Sequence, residues 1–342
     1  MKQLKGAVSL ERHFFLTTTG CKGRASFLEN EISKYRDVIR LSGYPRATAA
    51  ALLRECYAVA KQGNLEMNIV HNFLDNSPEG IFFPDLGTGI VNHPLYEPRF
   101  DLASLFDSEA LRLCESRLSA ATEAFSKAKA IHDDWEKIYI ESTDYNTLNR
   151  LADDTVSSLI DDKKTDYRGT MLDRFFGAAT INGSVDYIDI LTEGTKRYFI
   201  KGRPGTGKST FLKKLAQSAF DNGFTVERYH CAFDPSSLDM IIVRELKLCL
   251  FDSTAPHEYF PSKENDEIID FYTLAVNCET DTKYAPQLAE LSKNYKENIG
   301  LAVKQLIAAN EACKKAEECY AKQISQDKLM CIRKTMIERI FP

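Results

Sequence analysis

The sequence lacks any pair of cysteines in the C-x-x-C spacing, although it contains nine cysteines. This absence excludes the common zinc ribbons and thioredoxin-type redox motifs. Several cysteines lie in apolar stretches such as YHCAF and LKLCLF, where a free thiol behaves as a small hydrophobic side chain. We therefore expect unpaired thiols and a reducing, cytoplasmic location.

The sequence also lacks a long hydrophobic run and an excess of basic residues. No segment approaches the roughly 20 apolar residues that span a bilayer. Glu11, Arg12 and His13 interrupt the N-terminal segment, so we expect no signal peptide. The net charge of -5 argues against a surface built for polyanions. We expect a soluble protein with neither a membrane partner nor a nucleic-acid partner.

The clearest motif that is present is GRPGTGKS, which matches G-x-x-x-x-G-K-[ST]. The apolar run RYFIK precedes it as a predicted strand. STFLKKLAQSAFDNG follows it as a predicted amphipathic helix that ends at Asn222 and Gly223. This order is typical of a nucleotide-binding phosphate loop. The candidate ATP-binding residues are Gly202, Arg203, Pro204, Gly205, Thr206, Gly207, Lys208, Ser209 and Thr210.

Each residue type in this motif has a chemical reason. Glycines let successive backbone N–H groups point at phosphate oxygens, and the helix that follows adds the positive end of its dipole. Lys208 is expected to contact the β- and γ-phosphates, and Ser209 to ligate Mg²⁺. Asp252 ends the apolar run LKLCLFD and is the predicted second metal ligand. Lys208 and Asp252 are therefore the expected catalytic residues, with ATP and Mg²⁺ as cofactors.

Several neighbouring side chains have more than one interpretation. FTVERYHCAF is predicted as a strand and DPSSLDMIIVREL as a short helix. Asp234, Asp239 and Glu245 could orient the attacking water, but helix caps and surface acids show the same pattern. His257 either faces the γ-phosphate or is an ordinary loop histidine.

A weaker version of the motif occurs near the N-terminus. HFFLTTTGCKGRASFL aligns without gaps with RYFIKGRPGTGKSTFL, and a later offset brings Asn92 opposite Asp252. In this alignment Thr18 replaces the first glycine, Arg24 replaces the lysine, and Ala25 replaces the metal-ligating hydroxyl. The alignment predicts a degenerate site in the first half. Arg24 is the one residue there that could still act, for example as an arginine finger.

The predicted fold is α/β, with two tandem P-loop NTPase-like three-layer domains whose sheets are mostly parallel. Long apolar stripes at helical spacing predict a long helical hairpin insertion in each domain, and His132 on the first stripe is predicted to be an interhelical histidine. LADDTVSSLIDDKKTDYRGT has the composition of a domain edge. We expect a degenerate domain at 1–160 and an intact one at 161–342, with a protein partner at the hairpins.

The chain resembles a family of uncharacterised bacterial P-loop ATPases built from two tandem NTPase domains. The resemblance rests on GRPGTGKST, on RFFGAAT with GSVDYI, on LKLCLFDSTAPH and on AKAIHDDWEKIY, and it covers most of the chain. It implies ATP binding and hydrolysis but supplies no acceptor. Members of this family often carry a recognisable loop in the first half as well, and this sequence departs from them there.

Three functions are consistent with these features. The leading one is Mg²⁺-dependent ATP hydrolysis at one site in the second half, with the first half as a scaffold. The second is a small-molecule or nucleotide kinase, although no arginine-rich lid is present between Lys247 and Lys328. The third is a nucleotide-gated interaction switch in which turnover matters little.

Overall fold

The computed structural model describes residues 11–41, 44–92 and 106–340 and shows a mixed α/β protein with two principal sheets. Residues 1–10 lie outside the described residues. They belong to the N-terminal segment in which we expect no signal peptide. Within the described ranges, no helix combines the length and the apolar character needed to cross a membrane.

The first sheet contains five strands. In spatial order they are β1 (Glu11–Phe15), β5 (Met67–His71), β6 (Pro78–Phe83), β7 (Thr88–Val91) and β4 (Asp37–Arg40). The pairs β1–β5 and β4–β7 are parallel, and β6 runs antiparallel to both of its neighbours. A separate hairpin follows β1, and its strands are β2 (Thr17–Gly20) and β3 (Gly23–Ser26).

The second sheet contains six strands. In spatial order they are β15 (Glu267–Asp270), β11 (Lys196–Lys201), β14 (Leu248–Asp252), β13 (Leu238–Val243), β12 (Thr225–His230) and β8 (Thr170–Arg174). β13 is antiparallel to both neighbours, and the other pairs are parallel. A hairpin follows β8, and its strands are β9 (Gly177–Thr180) and β10 (Gly183–Asp186). Both sheets are therefore mixed.

The order and directions of the strands repeat between the halves, with β15 as an addition to the second sheet. The strands β5 and β12 each have a register irregularity before their last residue, His71 and His230. A 3₁₀ turn follows β6 in the first half and β13 in the second. The residue after this turn, Gly87 or Lys247, has a left-handed backbone conformation. These shared irregularities allow the two halves to be compared residue by residue.

Helices cover both sheets. They are α1 (Leu28–Ile32), α2 (Arg46–Gln62), α3 (Ser108–Ile140), α4 (Tyr145–Val156), α5 (Ile188–Leu191), α6 (Lys208–Asp221), α7 (Phe271–Ala275), α8 (Thr280–Lys283), α9 (Ala285–Ala321) and α10 (Gln326–Ile340). The helix α6 buries Phe211, Leu212 and Leu215 against the second sheet, as its apolar spacing predicts. The predicted strands at β11, β12 and β14 are confirmed as well.

The long helices α3 and α9 pack against each other, one from each half. The prediction of a separate long hairpin in each domain is therefore wrong, because each helix buries its apolar stripe on the helix of the other half. Cys114 and Cys313 form a disulfide between these helices, so the expectation of unpaired thiols is also wrong for this pair.

The two halves share their cores. Leu148, Ala152 and Ile160 precede the predicted boundary at residue 160, yet they pack in the core of the second sheet. Between the two sheets lies a joint core of buried side chains from both halves: Phe14, Leu16, Val70, Phe82, Val91, Phe176, Phe199, Tyr229, Met240 and Phe251.

The structure contradicts the weak phosphate-loop motif near the N-terminus. Residues 17–26 form the antiparallel hairpin of β2 and β3, in which Thr18 faces Ala25. Consecutive β-branched threonines favour a strand, and Gly23, at φ +84°, closes the tight turn. The counterpart of this hairpin is the β9–β10 hairpin, whose Gly183 has φ +88°. The predicted helix in DPSSLDMIIVREL is likewise wrong, since this segment contains β13.

Candidate functional site

The intact motif forms the turn between β11 and α6. Its last glycines, Gly205 and Gly207, have φ values of +79° and +85°, a conformation that side chains with a Cβ rarely adopt. A Cβ on Gly205 would also lie 2.7 Å from the backbone carbonyl oxygen of Glu136. Conformation and space therefore both require glycine, and the loop has the compact curl that can direct N–H groups at an anion.

Lys208 is the first residue of α6, and its ammonium group lies over the loop. Its Nζ donates to the carbonyl oxygen of Arg203 at 2.9 Å and to that of Gly202 at 3.3 Å. It also lies 3.6 Å from Oδ2 of Asp252. Asp252 reaches this position because β14 pairs in parallel with β11, with Asp252 opposite Ile200. The two predicted catalytic residues are thus brought together at the same edge of the sheet.

The remaining motif residues surround this pair. The hydroxyl of Ser209 accepts a hydrogen bond from the backbone N–H of Leu238 at 2.9 Å. Its second lone pair remains compatible with a metal ligand. Thr206 donates to the carbonyl of Arg203 at 2.8 Å and holds the curl. Pro204 is partly buried within the loop, and Thr210 is exposed on α6.

A second carboxylate lies beside Asp252. Asp239 is the second residue of β13, and the antiparallel pairing of β13 with β14 places it next to Asp252. Burial and the charge of Asp252 raise the pKa of Asp239 to about 6. Hard oxygen ligands suit Mg²⁺, so the oxygens of Ser209, Asp239 and Asp252 fit that cation, which would offset the repulsion between the carboxylates. The alternation in LDMIIV, read as a strand, could have revealed this neighbour.

The first half covers the loop. The Tyr145 hydroxyl, from α4, donates to the carbonyl of Gly205 at 2.6 Å, and the backbone of Glu136 in α3 rests on the same glycine. The segment AKAIHDDWEKIY, one of those that carry the family resemblance, is this part of α3. No local motif marks Glu136 or Tyr145 as site residues, since their position depends on packing between distant segments.

His132 lies between α3 and α9, as predicted, with its ring 5.9 Å from the ring of Tyr295. Burial and Lys129 lower its pKa to about 4. His132, Asp133 and Glu136 have ligand-type atoms within 4.8 Å of one another, the spacing of a cation site. The ammonium group of Lys129 already forms an ion pair with Asp133. These side chains therefore form a polar cluster on the part of α3 that lies next to the loop.

The other side chains with alternative interpretations have structural partners. His257 binds Asp186 at 2.8 Å and so ties the DSTAPH segment to the β9–β10 hairpin, which supports its interpretation as a loop histidine. Asp234 forms an ion pair with Lys22 at 3.0 Å. Glu245 accepts from a backbone N–H at the start of β12, away from the loop.

The true counterpart of the loop in the first half follows β4. Val38 pairs with Gly89 as Arg197 pairs with Cys249, and equivalent backbone hydrogen bonds close α2 and α6. With the strands matched in this way, LSGYPRATAAALL aligns without gaps with IKGRPGTGKSTFL. Ala49 and Ala50 then stand where the second half has its lysine and serine.

This counterpart has also lost the shape of the loop. α2 begins at Arg46, the position that matches Gly205, so the positions of the last two glycines are already helical. Arg46 is 5% exposed and donates to Glu317 of α9 at 3.0 Å. Asn92 occupies the place of Asp252, as the sequence alignment predicts. The first half therefore contains a buried ion pair where the second half has its glycine loop.

Arg24 does not belong to this counterpart. It lies on β3, and its charge acts on Glu79 of β6, which occupies the position of Asp239. Burial raises the pKa of Glu79 to about 7, and Asn72 donates to it at 2.9 Å. The sequence alignment that gave Arg24 the role of the motif's lysine is therefore wrong.

A pocket of about 360 Å³ opens beside the loop. Trp135, Tyr139 and Leu288 provide apolar walls, and Arg203 and Asp281 form an ion pair at 2.6 Å on its rim. Comparisons with protein-family models, with curated proteins and with solved structures found no match. The functional assignment therefore rests on the chemistry of these residues.

Proposed function

We propose that the second half is a P-loop NTPase unit that binds and hydrolyses MgATP, and that the first half is a pseudo-NTPase scaffold. The observation that carries this proposal is the position of Lys208. It begins a helix after a loop of left-handed glycines, and it lies 3.6 Å from Asp252 at the end of the neighbouring parallel strand. A bare strand-to-helix turn needs neither of these charged groups.

The residues of the loop have distinct roles in this proposal. Lys208 exchanges its contacts with the carbonyls of Gly202 and Arg203 for phosphate oxygens, and the N-terminus of α6 favours the same negative charge. Ser209, Asp239 and Asp252 would hold Mg²⁺. When bound, Mg²⁺ neutralises charge that develops on the phosphate oxygens.

Removal of the lysine tests the proposal. We expect Lys208→Ala to reduce phosphate release from MgATP to background, because the lysine that lies over the loop carbonyls and beside Asp252 is removed. The matched control is Lys214→Ala, since Lys214 lies on the exposed side of the same helix and forms a surface ion pair with Asp153. The control is expected to retain wild-type turnover. Equal turnover in Lys208→Ala and the wild type would contradict the proposal.

Phosphoryl transfer to a small acceptor is the second candidate function. The observation that favours it is the pocket beside Arg203, whose volume and aromatic walls suit a small molecule. Incubation with MgATP and a panel of small alcohols, amines and nucleosides distinguishes the two reactions. A phosphorylated product detected by mass spectrometry, formed at the expense of free phosphate, supports transfer. Unchanged phosphate release supports hydrolysis.

A further inference from the structure

We infer that Glu136, supplied by α3 of the first half, is the general base that receives the proton of the attacking water. This inference rests on the proposed function, because it names a further catalytic residue for the same site. It would make the nucleotide site a composite of both halves, with the phosphate loop from one half and the base from the other.

α3 makes a fixed contact with the loop. The carbonyl oxygen of Glu136 lies 2.7 Å from the point where a Cβ of Gly205 would be, which leaves no room for another residue between them. Tyr145 adds its hydrogen bond to the carbonyl of Gly205 at 2.6 Å. The part of α3 that carries the Glu136 carboxylate is therefore held directly against the glycine loop.

Both positive and negative charges surround the Glu136 carboxylate. The charged and titratable groups that face Glu136 come from α3, α4, α6 and the segment after β12, and they are Lys129, His132, Asp133, Tyr145, Lys208 and Asp234. The side chain is 32% exposed, so water can reach it. Burial raises its pKa, and the nearby charges of Lys129 and Lys208 oppose that rise. A carboxylate with this balance can take up and release a proton.

The helix α9 has an acidic residue at the position of Glu136 in α3. Glu136 precedes the end of α3 by as many residues as Glu317 precedes the end of α9. In the first half Glu317 is neutralised by Arg46 at 3.0 Å. In the second half the position of Arg46 is Gly205, which has no side chain to offer. The same acidic position therefore forms an ion pair in one half, and in the other half it lies on the part of α3 that contacts the loop, where the charge of Lys208 acts on it.

The chemical step balances without a further reactant. The water oxygen forms a bond to the γ-phosphorus, and the bond from that phosphorus to the β,γ-bridging oxygen breaks, leaving its electron pair on ADP. The proton of the water passes to a carboxylate oxygen of Glu136 and then to solvent. Lys208 neutralises phosphate charge throughout. A positioned general base contributes typically about 10²–10⁴-fold in rate.

The test is Glu136→Gln in the full chain, measured with MgATP. We expect kcat to fall by about 100-fold or more, while the dissociation constant for MgATP changes by less than about threefold. Wild-type kcat/KM should fall as the pH drops through the raised pKa of Glu136, because only the carboxylate can accept the proton. The part of this acidic limb that Glu136 causes should disappear in Glu136→Gln, while the part that Asp239 causes, with its pKa of about 6, should remain. Glu136→Asp, which keeps a carboxylate, should recover part of the rate.

Glu123→Gln is the matched control, because Glu123 is exposed on the same helix, and it should behave as the wild type. Wild-type turnover in Glu136→Gln, alongside an inactive Lys208→Ala, would overturn this inference and leave the proposed function standing. A joint loss of turnover and MgATP binding in Glu136→Gln would also overturn it, since that result indicates a structural role. Equal turnover in Lys208→Ala and the wild type would overturn both this inference and the proposed function.

Discussion

At the residue scale, one ammonium group and two carboxylates determine what the loop can bind. Lys208 alone would make a general anion site, since it supplies a positive charge beside the N-terminus of a helix. Asp252 and Asp239 add negative charge within reach of that lysine, which disfavours a bare anion and favours an anion that arrives with a cation. The proposed ligand, MgATP, is an anion of this kind.

Asp252→Asn tests the metal side of this arrangement. We expect phosphate release at fixed MgATP to fall by about 100-fold, the scale of losing one preorganised electrostatic group. The pKa of Asp239 should fall as well, because the charge of Asp252 is one cause of its rise. Phosphate release measured across a range of Mg²⁺ concentrations should show a higher Mg²⁺ requirement.

Asp221→Asn provides the control for this substitution, because Asp221 lies at the exposed end of α6 and accepts a hydrogen bond from the side-chain amide of Gln217. A wild-type Mg²⁺ dependence in Asp252→Asn would exclude Asp252 as a metal ligand.

The sequence reveals some of these residues and hides others for a physical reason. Lys208 and Ser209 are visible because the loop and its helix place them by local spacing. Asp239 is hidden because its role depends on sheet pairing with β14, and Glu136 because α3 comes from the other half. Side chains that meet only through tertiary packing have no fixed spacing along the sequence, so no sequence motif identifies them.

At the element scale, the difference between the two loops is one of conformation as much as of side chains. In the second half, left-handed glycines delay the start of α6 until Lys208. In the first half, Arg46 and Thr48 replace those glycines, and α2 begins at Arg46. The N–H of Ala49, at the position of Lys208, already donates to the carbonyl of Pro45, so it is not available to cradle a phosphate.

Restoring the lost side chains alone should therefore not restore the site. We expect Ala49→Lys combined with Ala50→Ser to add no second nucleotide, because the loop is already wound into α2 and the Arg46–Glu317 ion pair fills its place. Isothermal titration with MgATP should give the wild-type stoichiometry. The matched variant, Lys208→Ala with Ser209→Ala, should abolish binding in the second half. An additional equivalent of nucleotide in the first variant would contradict this explanation.

Strands and helices are predicted correctly where the spacing of the apolar residues and the position of the turn-forming glycines indicate the same element. β11, β14 and α6 are confirmed because an apolar run, a glycine loop and a helical stripe follow in order. The N-terminal hairpin imitates that order in composition, with Gly23 before a Phe-Leu pair, but its consecutive threonines favour strands. The β13 segment is wrongly predicted as a helix because a short apolar run suits a buried helix as well as a buried strand.

At the scale of the whole molecule, each half contributes a long helix that contacts the loop region of the other half. The helix α3 of the first half rests on the glycine loop of the second, and α9 of the second half neutralises Arg46 of the first. Phe15 and Phe175, which are equivalent residues, exchange backbone hydrogen bonds of 2.8 and 2.9 Å between the halves. Two independent tandem domains would not need these exchanges.

The nucleotide-gated switch stays a prediction, and the contact of α3 with the loop is the feature that it would use. A nucleotide that enters the loop must displace the Lys208 contacts to the loop carbonyls, and it does so beneath α3. α3 packs along α9, so the switch hypothesis requires that a shift at the loop moves both long helices. The sequence reveals the stripes on these helices, but the partner of each stripe is set by the assembly of the whole chain.

The central claim is that this chain has one nucleotide site, formed by the loop from Gly202 to Ser209. The most direct test is isothermal titration of the wild type and of Lys208→Ala with MgATP under the same conditions. We expect one equivalent of nucleotide per wild-type chain and no binding to Lys208→Ala. Two equivalents per chain, or undiminished binding to Lys208→Ala, would contradict the claim.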